Sequence, residues 1–174
     1  PGVHNVTLSS QANYILDNYS NAQVPRKIDV LDVAEGNTTN LLTASNPLSD
    51  FQLAQTSVKE IKAEDGTTLY AKLMLPHDFN PSKKYPVIVY LYNGPHVQLN
   101  RNTFPQSGNL WYDYMTQHGY IVFVLDGRGS SNRGLQFENA TWHQLGTIEM
   151  KDQMAGITWL KSQAYVDANR MGIH

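Results

Sequence analysis

The sequence predicts an α/β fold with an incomplete sheet, running β-β-β-α-β-α-β from residue 57, after a short antiparallel β segment. Three observations carry this. Two unbroken apolar runs, Val87-Ile88-Val89-Tyr90-Leu91-Tyr92 and Tyr120-Ile121-Val122-Phe123-Val124-Leu125, have the length and β-branched content of strands buried on both faces. A helical pattern follows each run, the order that builds a parallel sheet covered by helices. Residues 1–50 carry short β-like pieces punctuated by turns instead.

In chain order, residues 14–20 read as a strand before Pro25. Residues 26–33 alternate polar and apolar with period two, Glu35-Gly36-Asn37 turns, and residues 40–43 supply the next strand. A meander of this size does not form a stable sheet domain alone, so it reads as part of something larger. Asn46-Pro47-Leu48-Ser49-Asp50 is the expected linker, dividing the chain into 1–50 and 51–174. Residues 57–63 and 69–75 alternate around an Asp65-Gly66 turn, a hairpin signal.

The first buried strand then runs from Val87 to Tyr92 and ends in Asn93-Gly94-Pro95, expected to force a sharp exit. In open α/β sheets, ligands bind at the carboxyl ends of the strands. Residues 96–108 read as a polar loop. Residues 109–118 predict a helix capped by Asn109 and closed by Gly119, with Leu110, Trp111, Tyr114 and Met115 as its apolar face. The second buried strand ends in Asp126-Gly127-Arg128-Gly129-Ser130, and a loop is expected to about Leu145. Residues 147–164 predict a helix with Met150, Met154, Ile157 and Leu160 on one face. A turn at Asp167-Ala168-Asn169 leads into a last strand starting at Arg170.

Composition narrows the chemistry. Of the 174 residues, 41% are hydrophobic and 16% charged, and the net charge is −2. The chain has no basic block, which argues against a nucleic-acid partner. Its apolar runs are too short for a membrane-spanning helix. The absence of cysteine excludes disulfides, thiolate nucleophiles and cysteine-based zinc sites. Asn-x-Ser/Thr triplets begin at Asn5, Asn18, Asn37 and Asn139, and chance alone supplies roughly two such matches in a chain rich in these residues. No metal-binding motif occurs, and no cofactor is expected.

Hydrolysis by a nucleophile needs Ser or Cys, a His base and an orienting carboxylate. Six histidines are present, but none sits in a motif that pairs it with a nucleophile, and no G-x-S-x-G occurs. The G-x-G in the turn after residue 125 hints at dinucleotide binding, yet the sequence that follows is polar and non-periodic rather than helical. The structural alternative buries Arg128 near the sheet end against an acid, Glu149 or Asp152. Tyr92 is the residue of most interest. At the end of a buried strand its hydroxyl could stabilise an oxyanion, or it could simply be a good strand residue.

Tyr85-Pro86 through Tyr92-Asn93-Gly94-Pro95, then Asp126-Gly127-Arg128-Gly129-Ser130, then residues 145–153 (LGTIEMKDQ) follow one another as in a known family. The sequence resembles the dipeptidyl peptidase IV branch of the prolyl oligopeptidase family of serine peptidases, over about residues 50–174. The resemblance implies an incomplete α/β-hydrolase sheet in 51–174 and the last β-propeller blade in 1–50. It implies an exopeptidase releasing X-Pro or X-Ala dipeptides from peptide N-termini, and a periplasmic or extracellular location. Tyr92 matches the family tyrosine of the oxyanion hole, while Asn93 stands where relatives carry Ala.

The same resemblance places the nucleophile elbow just after the strand that begins at Arg170. The triad Ser, Asp and His are therefore expected beyond residue 174, making the chain an inactive fragment of an active parent. A non-catalytic relative on the same scaffold, or an acyl hydrolase acting on esters, remains an alternative. A sheet cut at this point predicts an exposed edge along Val87–Tyr92, with self-association through that edge, pairing by residues 170–174, or poor solubility.

Overall fold

The computed structural model describes every residue except Asn93 and Gly94, and its chain divides into two units. The first unit comprises residues 1–52 with 101–108. Strands β1 (Val3–Leu8), β2 (Tyr14–Ser20), β3 (Lys27–Asp32) and β4 (Thr38–Thr43) form an antiparallel meander in chain order. The sequence reading missed β1, whose mostly exposed residues give no burial signal. Asp17 lies directly across from Asp29, a juxtaposition that costs energy unless each charge is answered. His4 bonds Asp17 at 2.7 Å, while Lys27 and Asn40 each reach Asp29 at 2.7 Å. The Asn40 bond, followed by the Lys27 bond, holds the Asp29 carboxyl below its ordinary value. Residues 101–108 join this unit because Asn102 bonds the Pro1 carbonyl and the Ala22 N–H, and the Phe104 N–H donates to Ser20 Oγ.

The second unit comprises residues 53–100 and 109–174. Its elements are β5 (Gln55–Lys62), β6 (Thr68–Leu75), β7 (Tyr85–Tyr90), α1 (Leu110–Gln117), β8 (Ile121–Asp126), the single turn α2 (Leu135–Glu138), α3 (Ile148–Lys161) and β9 (Val166–Ile173). The sheet order is β5-β6-β8-β7-β9. The β5/β6 hairpin and the β6/β8 pair are antiparallel, while β7 pairs in parallel with β8 and β9. This is the incomplete α/β-hydrolase sheet with an antiparallel start.

Strand β8 is the buried centre, covered along its whole length. Its side chains alternate between two clusters, as a pleated strand requires. Ile121, Phe123 and Leu125 join Leu69, Leu73, Val87, Val89 and Leu160, with Ile157 and Trp159 of α3 packed on them. Val122 and Val124 join Met74 and Tyr112, with Trp111 and Met115 of α1 alongside. Helices on both faces explain why the sequence of β8 is unbroken in its apolarity.

Several expectations need correction. Strand β7 stops at Tyr90 and alternates between buried and half-buried residues, so Tyr92 lies beyond it. Of the three outcomes expected for the flank of β7, pairing by the last residues is the one seen, with β9 covering it from Tyr85↔Val166 to Val89↔Ile173. The last strand begins at Val166 rather than Arg170. The register jump between Tyr85 and Val87 absorbs the expected turn, where the Asn169 N–H bonds the Asp167 carboxylate at 3.0 Å.

Each helix buries only half of its expected face: Trp111 and Met115 of α1 and Ile157 and Leu160 of α3 pack on the core, and the other expected residues do not. In α1 the buried residues are Tyr112, Asp113 and Thr116, whereas Leu110 and Tyr114 are about half exposed. Asp113 is drawn in because its carboxylate accepts the Ala54 N–H at 2.9 Å. In α3 the buried face is Glu149, Asp152, Gln153, Gly156 and Leu160, while Met150 and Met154 lie outside it. The spacing is helical, and polar partners as well as apolar packing select the face. Among the described residues no helix is long and apolar enough to cross a membrane, and no cluster of three metal-ligating side chains occurs.

Candidate active site

The site is built where β7, β8 and β9 end. The ladder between β7 and β9 continues past both strands, with the His174 N–H donating to Val89 O and the Leu91 N–H donating to His174 O, both at 3.0 Å. The His174 ring stacks on Trp111 with centroids 4.4 Å apart. Tyr92 is the next residue, and it is half exposed. The expected departure at Asn93 and the Asn93-Gly94 part of the sharp exit lie outside the described residues.

The chain returns along the glycine-rich turn after β8. His96, at φ +65°, donates its N–H to Gly129 O, and the Ser131 N–H donates to Val97 O. Asn132 Nδ2 donates to Gln98 Oε1 at 2.8 Å. The two oxygens of Asp126 then accept the consecutive N–H groups of Leu99 and Asn100, each at 2.9 Å. Asn100 Nδ2 completes the join by donating to the carbonyls of Tyr70 and Val124. Burial pushes the Asp126 carboxyl above its ordinary value, opposed by these N–H bonds and by the charge of Lys72. Burial in turn lowers Lys72, against the pull of Asp126. A cavity of about 100 Å³ adjoins Asp126, lined also by Tyr70, Gln98, Asn100, Ser130 and Arg133. The Arg133 guanidinium sits between the rings of Tyr70 and Phe137, 4.8 and 4.4 Å from their centroids.

The turn itself is internal structure. The Arg128 N–H donates to Asp152 Oδ2 at 2.7 Å, and its guanidinium forks onto the same carboxylate and reaches Asp65. Of the two acids the sequence offered, Asp152 is the partner. Glu149 instead accepts the N–H groups of Gly146 and Thr147 at the start of α3. An N–H committed to an internal carboxylate does not cradle a phosphate, so the dinucleotide reading fails on geometry. Gly127 and Gly129 are there for closeness: a Cβ on Gly127 would lie 3.2 Å from Asp152 Cβ, and one on Gly129 2.9 Å from Thr141 Cγ2.

Sequence reasoning missed Asp126, although an acid closing an otherwise apolar strand is a visible signal. It also missed a concavity of about 560 Å³ lined by Pro95, His96, Glu138, Trp142, His143 and Leu145, in which His96 pairs with Glu138. The other histidines are spread out, with His4 on Asp17 and His118 Nδ1 on the Tyr114 carbonyl.

A family model for the prolyl oligopeptidase family matches residues 108–174. Mouse dipeptidyl peptidase 8 is 33% identical over 182 residues, covering 98% of this chain and 20% of that protein. Bovine prolyl endopeptidase FAP is 33% identical over 129 residues, covering 74% of this chain and 16% of its own length. A crystal structure of a Bacteroides ovatus protein described as a dipeptidyl aminopeptidase IV superposes with a TM-score of 0.93 at 47% identity, over 99% of this chain and 25% of that one. Porphyromonas gingivalis dipeptidyl peptidase 4 superposes with a TM-score of 0.88 at 30% identity, again over 99% and 25%.

The chain belongs to the prolyl oligopeptidase family. Within it, dipeptidyl peptidase 8 and both solved neighbours are of the dipeptidyl peptidase kind, as the three sequence motifs imply, while FAP is a prolyl endopeptidase by name. The chain spans about a fifth of the length of the curated relatives and a quarter of the solved chains. The similarity to dipeptidyl peptidase 8 takes in nearly the whole chain, so it extends over the meander as well as the α/β sheet.

Proposed function

We propose that this chain contributes the oxyanion donor Tyr92 to a serine-type dipeptidyl peptidase that releases dipeptides with Pro or Ala in second position. In this reading residues 1–50 are the end of a β-propeller, and 51–174 are the first part of the catalytic domain. The observation that carries it is the placing of Tyr92. It lies two residues past the end of β7, and Leu91 between them is hydrogen-bonded to His174 at the carboxyl end of the neighbouring parallel strand. Side chains at the carboxyl ends of parallel strands face the ligand crevice of such sheets. A half-exposed phenol there is free to donate to a developing oxyanion, which stabilises the transition state more than the ground state.

The test is hydrolysis of a Gly-Pro chromogenic substrate by the full-length protein. Tyr92→Phe is expected to lower kcat by roughly 100-fold while leaving KM nearly unchanged, the pattern of a lost oxyanion donor. An unchanged kcat would remove Tyr92 from the oxyanion hole. The 174 residues alone contain no G-x-S-x-G and are expected to show no turnover above background.

A further inference from the structure

We infer that Asp126 is a positioning residue for Tyr92, acting by fixing residues 98–100, where the loop that Tyr92 begins returns to the sheet. The inference rests on the oxyanion reading of Tyr92.

A donor side chain on a loop is useful only if both ends of that loop are held, because misplacement by about 1 Å is enough to lose most of its effect. Here the outgoing end is held by Leu91 on His174. The returning end is held by Asp126, whose two oxygens take two successive N–H groups. Asp126 closes a strand that is otherwise apolar, and it is only 7% exposed. A carboxyl group in that setting is costly unless its bonds are made. Asp supplies two acceptors in a planar fork, whereas Asn supplies one acceptor and a donor that would confront the second N–H. The Asn132–Gln98 bond lies beside this join and ties the same segment to the turn that follows Asp126. Tyr92 lies two residues past the end of β7, Asp126 ends the adjacent parallel strand β8, and residues 96–100 are fastened to the end of β8 and the turn after it.

The bland alternative makes Asp126 a loop staple that adds stability and nothing else. The two separate in a cycle with Tyr92→Phe, measured as kcat and KM for the Gly-Pro substrate in the full-length protein. Acting through Tyr92, Asp126→Asn lowers kcat about tenfold with KM within about twofold, and costs less than about twofold more when Tyr92 is already Phe. An equal loss in both backgrounds, or no loss of kcat, overturns the inference while leaving the Tyr92 reading standing. If Tyr92→Phe itself leaves kcat unchanged, that reading fails first and the inference with it. Where Asp126→Asn shows no cooperative thermal transition, Gln98→Ala takes its place, because it cuts an exposed tie of the same segment. Its expected loss is about threefold in kcat and is absent in the Tyr92→Phe background. No loss, or the same loss in both backgrounds, overturns the inference.

Discussion

Arg128 and Asp152 meet through a fork: Nε lies 3.0 Å from Oδ2, Nη2 lies 2.5 Å from Oδ1, and the Arg128 backbone N–H adds a third bond at 2.7 Å. Asp152 is fully buried and the Arg128 side chain nearly so, at 12% exposure. Removing one partner leaves a buried charge without its counterpart. Asp152→Ala is therefore expected to destabilise the protein by about 3–5 kcal/mol. Arg128→Lys keeps the charge but loses the planar fork, so it is expected to cost less, about 1–3 kcal/mol. Urea unfolding checks the order, and equal stability of Asp152→Ala and wild type would refute it.

Asp65, at the β5/β6 turn, is the outer partner of Arg128. The bonds from Thr67, backbone first, and then the guanidinium bring its carboxyl down to about 2. A carboxyl depressed on folding contributes stability that is complete above its unfolded value near 4 and is lost as pH falls through the folded value. The melting temperature of wild type should accordingly fall more steeply than that of Asp65→Asn between about pH 4 and 2. Parallel curves in that window would show that the Asp65 bonds do not form in solution.

Gly129 sits at φ +99° against Thr141. Gly129→Ala places a methyl group 2.9 Å from Thr141 Cγ2 in a backbone region that L residues avoid, and should cost about 2–3 kcal/mol. Thr141→Ser removes the clashing methyl and should recover part of that loss in the double variant. Additive losses in thermal unfolding would mean the contact is not the cause.

The face that α3 presents is testable in the same way. Alanine normally improves on glycine in a helix, but a Cβ at Gly156 would come within 2.9 Å of Leu125 and 3.1 Å of Phe123. Gly156→Ala is expected to destabilise by about 1–3 kcal/mol through overpacking. Met154→Gln, on the exposed side, should stay within about 0.5 kcal/mol of wild type. A reversed order in urea unfolding would restore the methionine face as the buried one.

That reversal marks where sequence reading stopped. Strand β8 was legible because both its faces are covered, so burial alone writes its composition. The cap of α1 was legible because Asn109 and Gly119 act locally: Asn109 accepts the Trp111 N–H, and Gly119 adopts φ +80°. The faces of α1 and α3 were legible only in their apolar half, Trp111, Met115, Ile157 and Leu160. Asp113 is held by Ala54 N–H, and Gln153 donates to the Leu125 carbonyl, partners distant in sequence that no periodicity encodes; only the Asp152–Arg128 pair was offered by the motifs. At the site, the motif order singled out Tyr92, but Asp126 has meaning only once residues 99 and 100 are seen to return to it.

The insertion of β8 between β6 and β7 has a consequence during synthesis. Strand β6 ends at Leu75, yet its partner on that side begins at Ile121. At ribosomal rates, roughly 2–10 s pass between the two. Through that interval the β5/β6 hairpin has emerged with the apolar side chains of Leu69, Ala71 and Leu73 uncovered and one row of backbone groups unmatched. Strand β7, already made, has no bonding partner in β6 and waits for the same residues. A nascent chain paused before residue 121 should therefore be a preferred client of ribosome-associated chaperones, and one released after α3 has been added to the same apolar face should be less so.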